Sequence, residues 1–135
     1  MRLVTDVIEK LSEESELHRS DVSDTIRGKM TEILDDLVKS GSNFLGATVS
    51  SVDGLAWAEK IADGFDQHRF SAMSSSLLAI SDELAREVGC GPTKNLLIEG
   101  EKGKILVMHA GPLLLLTVFT KHDATLGMAL AQAAQ

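Results

Sequence analysis

The chain has 135 residues, a formal net charge of −7 and a hydrophobic fraction of 44%. That length suits one domain with a single core, and no apolar run approaches the ~20 residues of a membrane span. An acidic chain without a Lys/Arg cluster is a poor match for nucleic acid or anionic lipid surfaces, which leaves proteins and small molecules as partners.

Asp6 interrupts the stretch where a secretory signal would run apolar, and Cys90 has no second cysteine to pair with. Both point to the reducing interior of the cell, so a cytoplasmic location is expected. Val4, Val7, Ile8 and Leu11 recur at helical spacing and predict an amphipathic helix over the first dozen residues. The acidic Ser12-Glu13-Glu14-Ser15-Glu16 reads as its end or as a mobile linker. Ile26, Met30, Ile33 and Leu37 predict a second helix over about 22–40, with Ser23 or Asp24 as cap and Ser40-Gly41-Ser42-Asn43 as stop.

Phe44–Ser51 and Leu55–Lys60 follow as strands joined at Asp53-Gly54, a pair suited to the positive φ that a hairpin turn needs. Asp63-Gly64 closes that unit. Phe70, Met73, Leu77, Ile80, Leu84 and Val88 then mark the apolar face of a long helix over about 67–88, ended by Gly89 and Gly91-Pro92. The last third reads as strands at 94–99, 104–109 and 113–120, with a short helix after Asp123 or Thr125. Four consecutive leucines, Leu113 to Leu116, suit a central strand covered on both faces. Hairpin connections throughout predict an antiparallel sheet with helices on its faces.

No motif carries catalysis. Gly100-Glu101-Lys102-Gly103-Lys104 shares only composition with a phosphate-binding loop: the spacing and the hydroxyl are missing, and a strand follows where a helix is needed. His18, His68, His109 and His122 make no i, i+4 pair, so no metal site is expected. Ser74, Ser75 and Ser76 sit inside a helix and not on a nucleophile elbow; Cys90 lies between two turn glycines. Asp53 and Gly54 are read as structural. The chain is therefore taken as a non-enzyme without cofactor.

Two features suggest association. Opposite the apolar face of the long helix lies a stripe of mostly small residues, Ser71, Ser74, Ser75, Leu78, Asp82 and Ala85, which suits close approach of a second helix or partner, the competing reading being a solvated polar face. The strand containing Leu96, Leu97 and Ile98 has no proline or inward charge to blunt an edge, so it suits pairing with a second copy.

From about residue 24 onward the chain resembles the roadblock and dynein light chain family. The resemblance rests on Ser51, Asp53, Gly54, Leu55 and Ala58 around the hairpin, Ala72-Met73-Ser74 at the long helix, and Leu97-Ile98-Glu99 with Glu101-Lys102-Gly103. It extends through Ala110-Gly111 to Asp123-Ala124-Thr125-Leu126-Gly127. It implies an α+β fold, a five-stranded antiparallel sheet with the long helix on one face and the first and last helices on the other. It also implies a homodimer formed through the 94–99 strands and the long helices, acting as a non-catalytic module that binds a Ras-like small GTPase, as bacterial regulators of this type do. Residues 1–20 match no core element of the family and are expected as a helical or partly mobile extension before a roadblock-like domain at 21–135. Arg69 and Arg86 lie on the long helix, but nothing singles out either as a residue lent to a GTPase. A small-ligand-binding sensor of similar build is the alternative, and its mark would be a large apolar pocket with a few convergent polar groups.

Overall fold

The computed structural model describes residues 2–17, 24–40, 44–61 and 65–121. In chain order they form α1 (Arg2–Leu17), α2 (Asp24–Lys39), β1 (Phe44–Ser51), β2 (Ala56–Ile61), α3 (Gln67–Glu87), β3 (Asn95–Glu99), β4 (Gly103–Ala110) and β5 (Leu114–Lys121). The strands make one five-stranded antiparallel sheet in the order β2-β1-β5-β4-β3. This is the expected α+β architecture. The helix expected after Asp123 and the Asp63-Gly64 turn lie outside the described residues.

Strand β5 is central, as the leucine run anticipated: Leu114, Leu115 and Leu116 are buried, while Leu113, just ahead of the strand, is exposed. Pleating sends Leu114 and Leu116 to one face and Leu115 to the other. The β1–β2 turn uses Gly54 at φ 90°, where its N–H donates to the Ser51 carbonyl at 2.9 Å. The Leu55 N–H donates to the Ser51 hydroxyl at 3.0 Å, which fixes the far side of the turn. A Cβ at Gly54 would stand 3.2 Å from the Ala72 Cα of α3, so glycine here also lets the helix pass.

One face of the sheet carries the main core. Helix α2 covers β1 and β2, and α1 covers β4 and β5. Ile26, Met30, Leu34 and Leu37 of α2 join Ile8 and Leu11 of α1 over Val49, Leu106, Met108, Leu114, Leu116 and Val118. Each such large side chain removed from water contributes about 1.5–3 kcal/mol, so this layer dominates stability. Helix α1 runs further than its apolar repeat indicates: Ser12 to Glu16, expected as an end or linker, continue it to Leu17. No proline or glycine interrupts that stretch, and Ser12 is buried.

On the outer side of the same layer, Asp35 accepts from Lys39 at 2.7 Å along α2 and faces Lys60 of β2 at 3.3 Å. The Lys39 hydrogen bond, chiefly, and Lys60 hold the Asp35 carboxyl below its ordinary 3.8, against a partial desolvation that works the other way. A depressed folded-state pKa gives stability that is present above the unfolded value and lost as pH falls through the folded one. Asp35→Asn should therefore be less stable than wild type at pH 7, with the difference closing below about pH 4, as measured by urea midpoints across that range.

Close approach of β1 and β2 gives a second expectation. A Cβ at Gly46 would lie 2.5 Å from Ile61 Cγ2 and 2.9 Å from the Lys60 carbonyl oxygen, whereas nothing lies within 4 Å of one at Gly28 in α2. Gly46→Ala should cost about 1–3 kcal/mol by overpacking, and Gly28→Ala should gain about 0.5–1 kcal/mol by restraining the unfolded helix residue, both read from urea denaturation.

Candidate interaction surface

Helix α3 starts at Asp66, whose side chain accepts from the His68 and Arg69 N–H groups at 3.0 and 3.2 Å. It lies alone on the second face of the sheet among the described residues. Here the face expected to meet a partner turns inward. Ser71, Ser74 and Leu78 are buried, and Leu78 packs with Val107 and Leu115, flanked by Val52, Leu96 and Ile105. The Ser75 hydroxyl donates to the Val52 carbonyl. Asp82 accepts from the Thr93 N–H at 3.3 Å and stands 3.6 Å from His109 Nε2, and Ala85 is half-buried. The stripe of small residues thus seats α3 on its own sheet and is neither a solvated face nor an open docking face.

The reason lies in the strands beneath. Thr48 pairs with Thr117 and Ser50 with Leu115, so β1 and β5 send short polar side chains to the same face as Leu115. Small serines on the helix and short side chains on the sheet let the two layers come close, with Leu78 and Phe70 as bulky side chains between them. Four of the hydroxyls in these layers, those of Thr48, Ser50, Ser71 and Thr117, are buried with no hydrogen-bond partner among the described residues.

The apolar repeat consequently points outward. Met73, Ile80, Leu84 and Val88 are 58%, 64%, 66% and 70% exposed, although their spacing is that of a core face. Beside them a groove of about 480 Å³ runs between α3 and the sheet, bounded by Phe70, Leu77, Ile98, Ile105 and Val107. Strand β3 forms the adjoining sheet edge. Within β3, Leu96 and Leu97 are half-buried on opposite faces and Ile98 is exposed. An apolar ridge, a groove and an edge strand side by side form a surface suited to binding another surface.

The residues weighed for chemistry are dispersed. Ser74 is buried, Cys90 is exposed after the helix, and Arg86 is paired with Glu83. Among the described residues, no three His, Cys, Asp or Glu side chains come together as a metal set, and no helix is long and apolar enough to cross a membrane. Asp53 and Gly54 lie in the turn between β1 and β2.

Residues 30–120 match the family model of the Roadblock/LC7 domain. The chain belongs to the Roadblock/LC7 domain family. An uncharacterised protein of Methanocaldococcus jannaschii is 34% identical over 83 residues, covering 62% of this chain and 72% of its own length. A crystallised Roadblock/LC7 domain from Streptomyces avermitilis superposes with a TM-score of 0.60 at 28% identity, over 78% of this chain and 92% of that one. Myxococcus xanthus MglB shares the fold with a TM-score of 0.72 at 18% identity, over 78% and 86% of the two chains.

The seam beneath α3 in this roadblock fold makes a direct expectation. A buried hydroxyl without a partner costs about 1–3 kcal/mol of lost hydration, which a methyl group of the same shape does not. Thr117→Val should therefore raise stability by about 1 kcal/mol in urea denaturation, against the usual penalty for changing a buried threonine.

Proposed function

We propose that this roadblock chain is a homodimeric, non-catalytic module that binds a Ras-like small GTPase in the cytoplasm and modulates its nucleotide cycle or its localisation. The observation that carries the reading is the outward apolar stripe of α3 beside the open edge of β3. A stripe of this kind on a monomer marks an interaction face, and an unpaired edge strand favours pairing with a copy of itself. The strand part of the interface stays with Leu96, Leu97 and Ile98. The helix part passes from Ser71, Ser74, Ser75, Leu78, Asp82 and Ala85 to Met73, Ile80, Leu84 and Val88.

Family resemblance supplies the kind of partner. In this reading regulation works by binding one nucleotide state of the GTPase more tightly than the other, which shifts its population by that difference in affinity.

Light scattering should give a dimer for the wild type and a monomer for Ile80→Glu with Leu84→Glu, both exposed positions at which the fold is kept. A GTPase captured with the wild type from its own cells should bind its GTP-analogue and GDP forms with affinities differing by about fivefold or more. A monomeric wild type, or equal affinity for the two forms, overturns the corresponding half of the reading.

A further inference from the structure

Strand β3 is paired on one side among the described residues, with β4, in an unbroken register from Asn95↔Met108 to Glu99↔Lys104. The hairpin between them decides where its backbone groups point. The Gly100 N–H donates to the Gly103 carbonyl at 2.8 Å, which makes these residues a hydrogen-bonded pair at the turn. Opposite residues of an antiparallel ladder alternate between pairs that exchange hydrogen bonds and pairs that do not. Counting back from the turn, Ile98 and Leu96 aim their N–H and C=O groups at β4, and Glu99, Leu97 and Asn95 aim theirs at the outer edge. The side chains alternate with them. Leu96 and Ile98 lie on the α3 face, where Ile98 borders both the groove and an apolar cavity of about 460 Å³ shared with Leu45, Phe65 and Phe119; Leu97 lies on the face of α1 and α2.

A copy of β3 can join this edge about a two-fold axis normal to the sheet, and an axis of that kind keeps each face continuous. Opposing residues then share a face, so the axis falls on Leu96, Leu97 or Ile98. Centred on Leu97, that residue opposes its own copy and Asn95 opposes Glu99, so every outward N–H and C=O of both strands meets a partner. Centred on Leu96, Glu99 comes opposite Thr93, which lies outside the strand and whose N–H is already given to Asp82 at 3.3 Å. Centred on Ile98, Asn95 comes opposite Glu101 in the turn, and its outward groups have no strand to meet. A backbone group left unpaired inside an interface forfeits a hydrogen bond, which favours the Leu97 register.

We infer, resting on the homodimer proposed above, that its β3 strands pair antiparallel about Leu97, with Asn95 opposite Glu99 of the second copy and Leu96 opposite its Ile98. The two sheets become one. Each Glu99 meets an amide in place of another acid, and the Leu96 and Ile98 side chains extend the apolar floor beside α3 from one copy into the next.

Cysteine cross-linking tests the register in full-length chains carrying Cys90→Ser, an exposed position. Opposite residues that do not exchange hydrogen bonds stand about 4.5 Å apart at Cα, within reach of a disulfide, whereas diagonal neighbours stand about 7–8 Å apart. Mild oxidation of a mixture of Leu96→Cys and Ile98→Cys chains should therefore give a cross-linked dimer, and the cross-link should be lost when either chain is oxidised alone. A cross-link formed by Leu96→Cys alone, or by Ile98→Cys alone, overturns the Leu97 register. In the wild type, with β3 intact, the Asn95, Leu97 and Glu99 amides should exchange slowly with solvent and lose that protection in the Ile80→Glu with Leu84→Glu monomer. A dimer by light scattering whose Leu97 amide exchanges fast, or whose mixed cysteine chains give no cross-link, overturns the strand pairing and leaves the dimer standing; a monomeric wild type overturns both.

Discussion

The close seat of α3 on the sheet decides the character of the molecule's surface. Ser71, Ser74 and Leu78 are the buried residues of α3, with Leu78 between Val107 and Leu115 and Phe70 against Phe119, so the helix lies close on the sheet largely through short side chains. A 21-residue helix with its small side inward has its large side outward, and the stripe of Met73, Ile80, Leu84 and Val88 is the geometric consequence.

The two faces of the sheet are therefore unequal. Under α1 and α2 lies a broad apolar cluster running from Ile8 to Val118; at the α3 seam lie three buried apolar residues and several hydroxyls with no partner among the described residues. Burial sets local stability, so α3 is anchored less firmly than the helices opposite. Its capping by Asp66, the Ser75–Val52 hydrogen bond and the Asp82 contacts hold its position with polar links in place of area. A surface closing over the outer stripe would add the apolar burial that this face lacks, and binding to the folded state stabilises it by mass action.

Element order from α1 to β5, the central place of β5 and the Asp53-Gly54 turn were legible in the sequence because each depends on local signals: alternation, a leucine run, glycine conformations; the edge position of β3 was not, since nothing local orders strands within a sheet. The length of α1 was not, since its apolar repeat stops at Leu11 while the helix continues through residues that simply do not break it. The orientation of α3 failed for a deeper reason. Two stripes with the same three- and four-residue spacing run along it, and periodicity says that a helix has faces without saying which one the sheet takes. The rule that the apolar face packs inward holds where the opposing surface is apolar; here the choice was set by Thr48 and Thr117, far away in sequence and brought together only by β1–β5 pairing. The cavity at the hairpin end was equally hidden, because Leu45, Phe65, Ile98 and Phe119 converge from four separate segments.

Ile98 and Ile105 connect the two open regions. Both side chains line the groove beside α3 on one side and the apolar cavity on the other. Cross-strand pairing of these residues makes them a single wall between two spaces. The end of β3 is thus the place in this fold where the groove beside α3 and the cavity at the hairpin end share a wall.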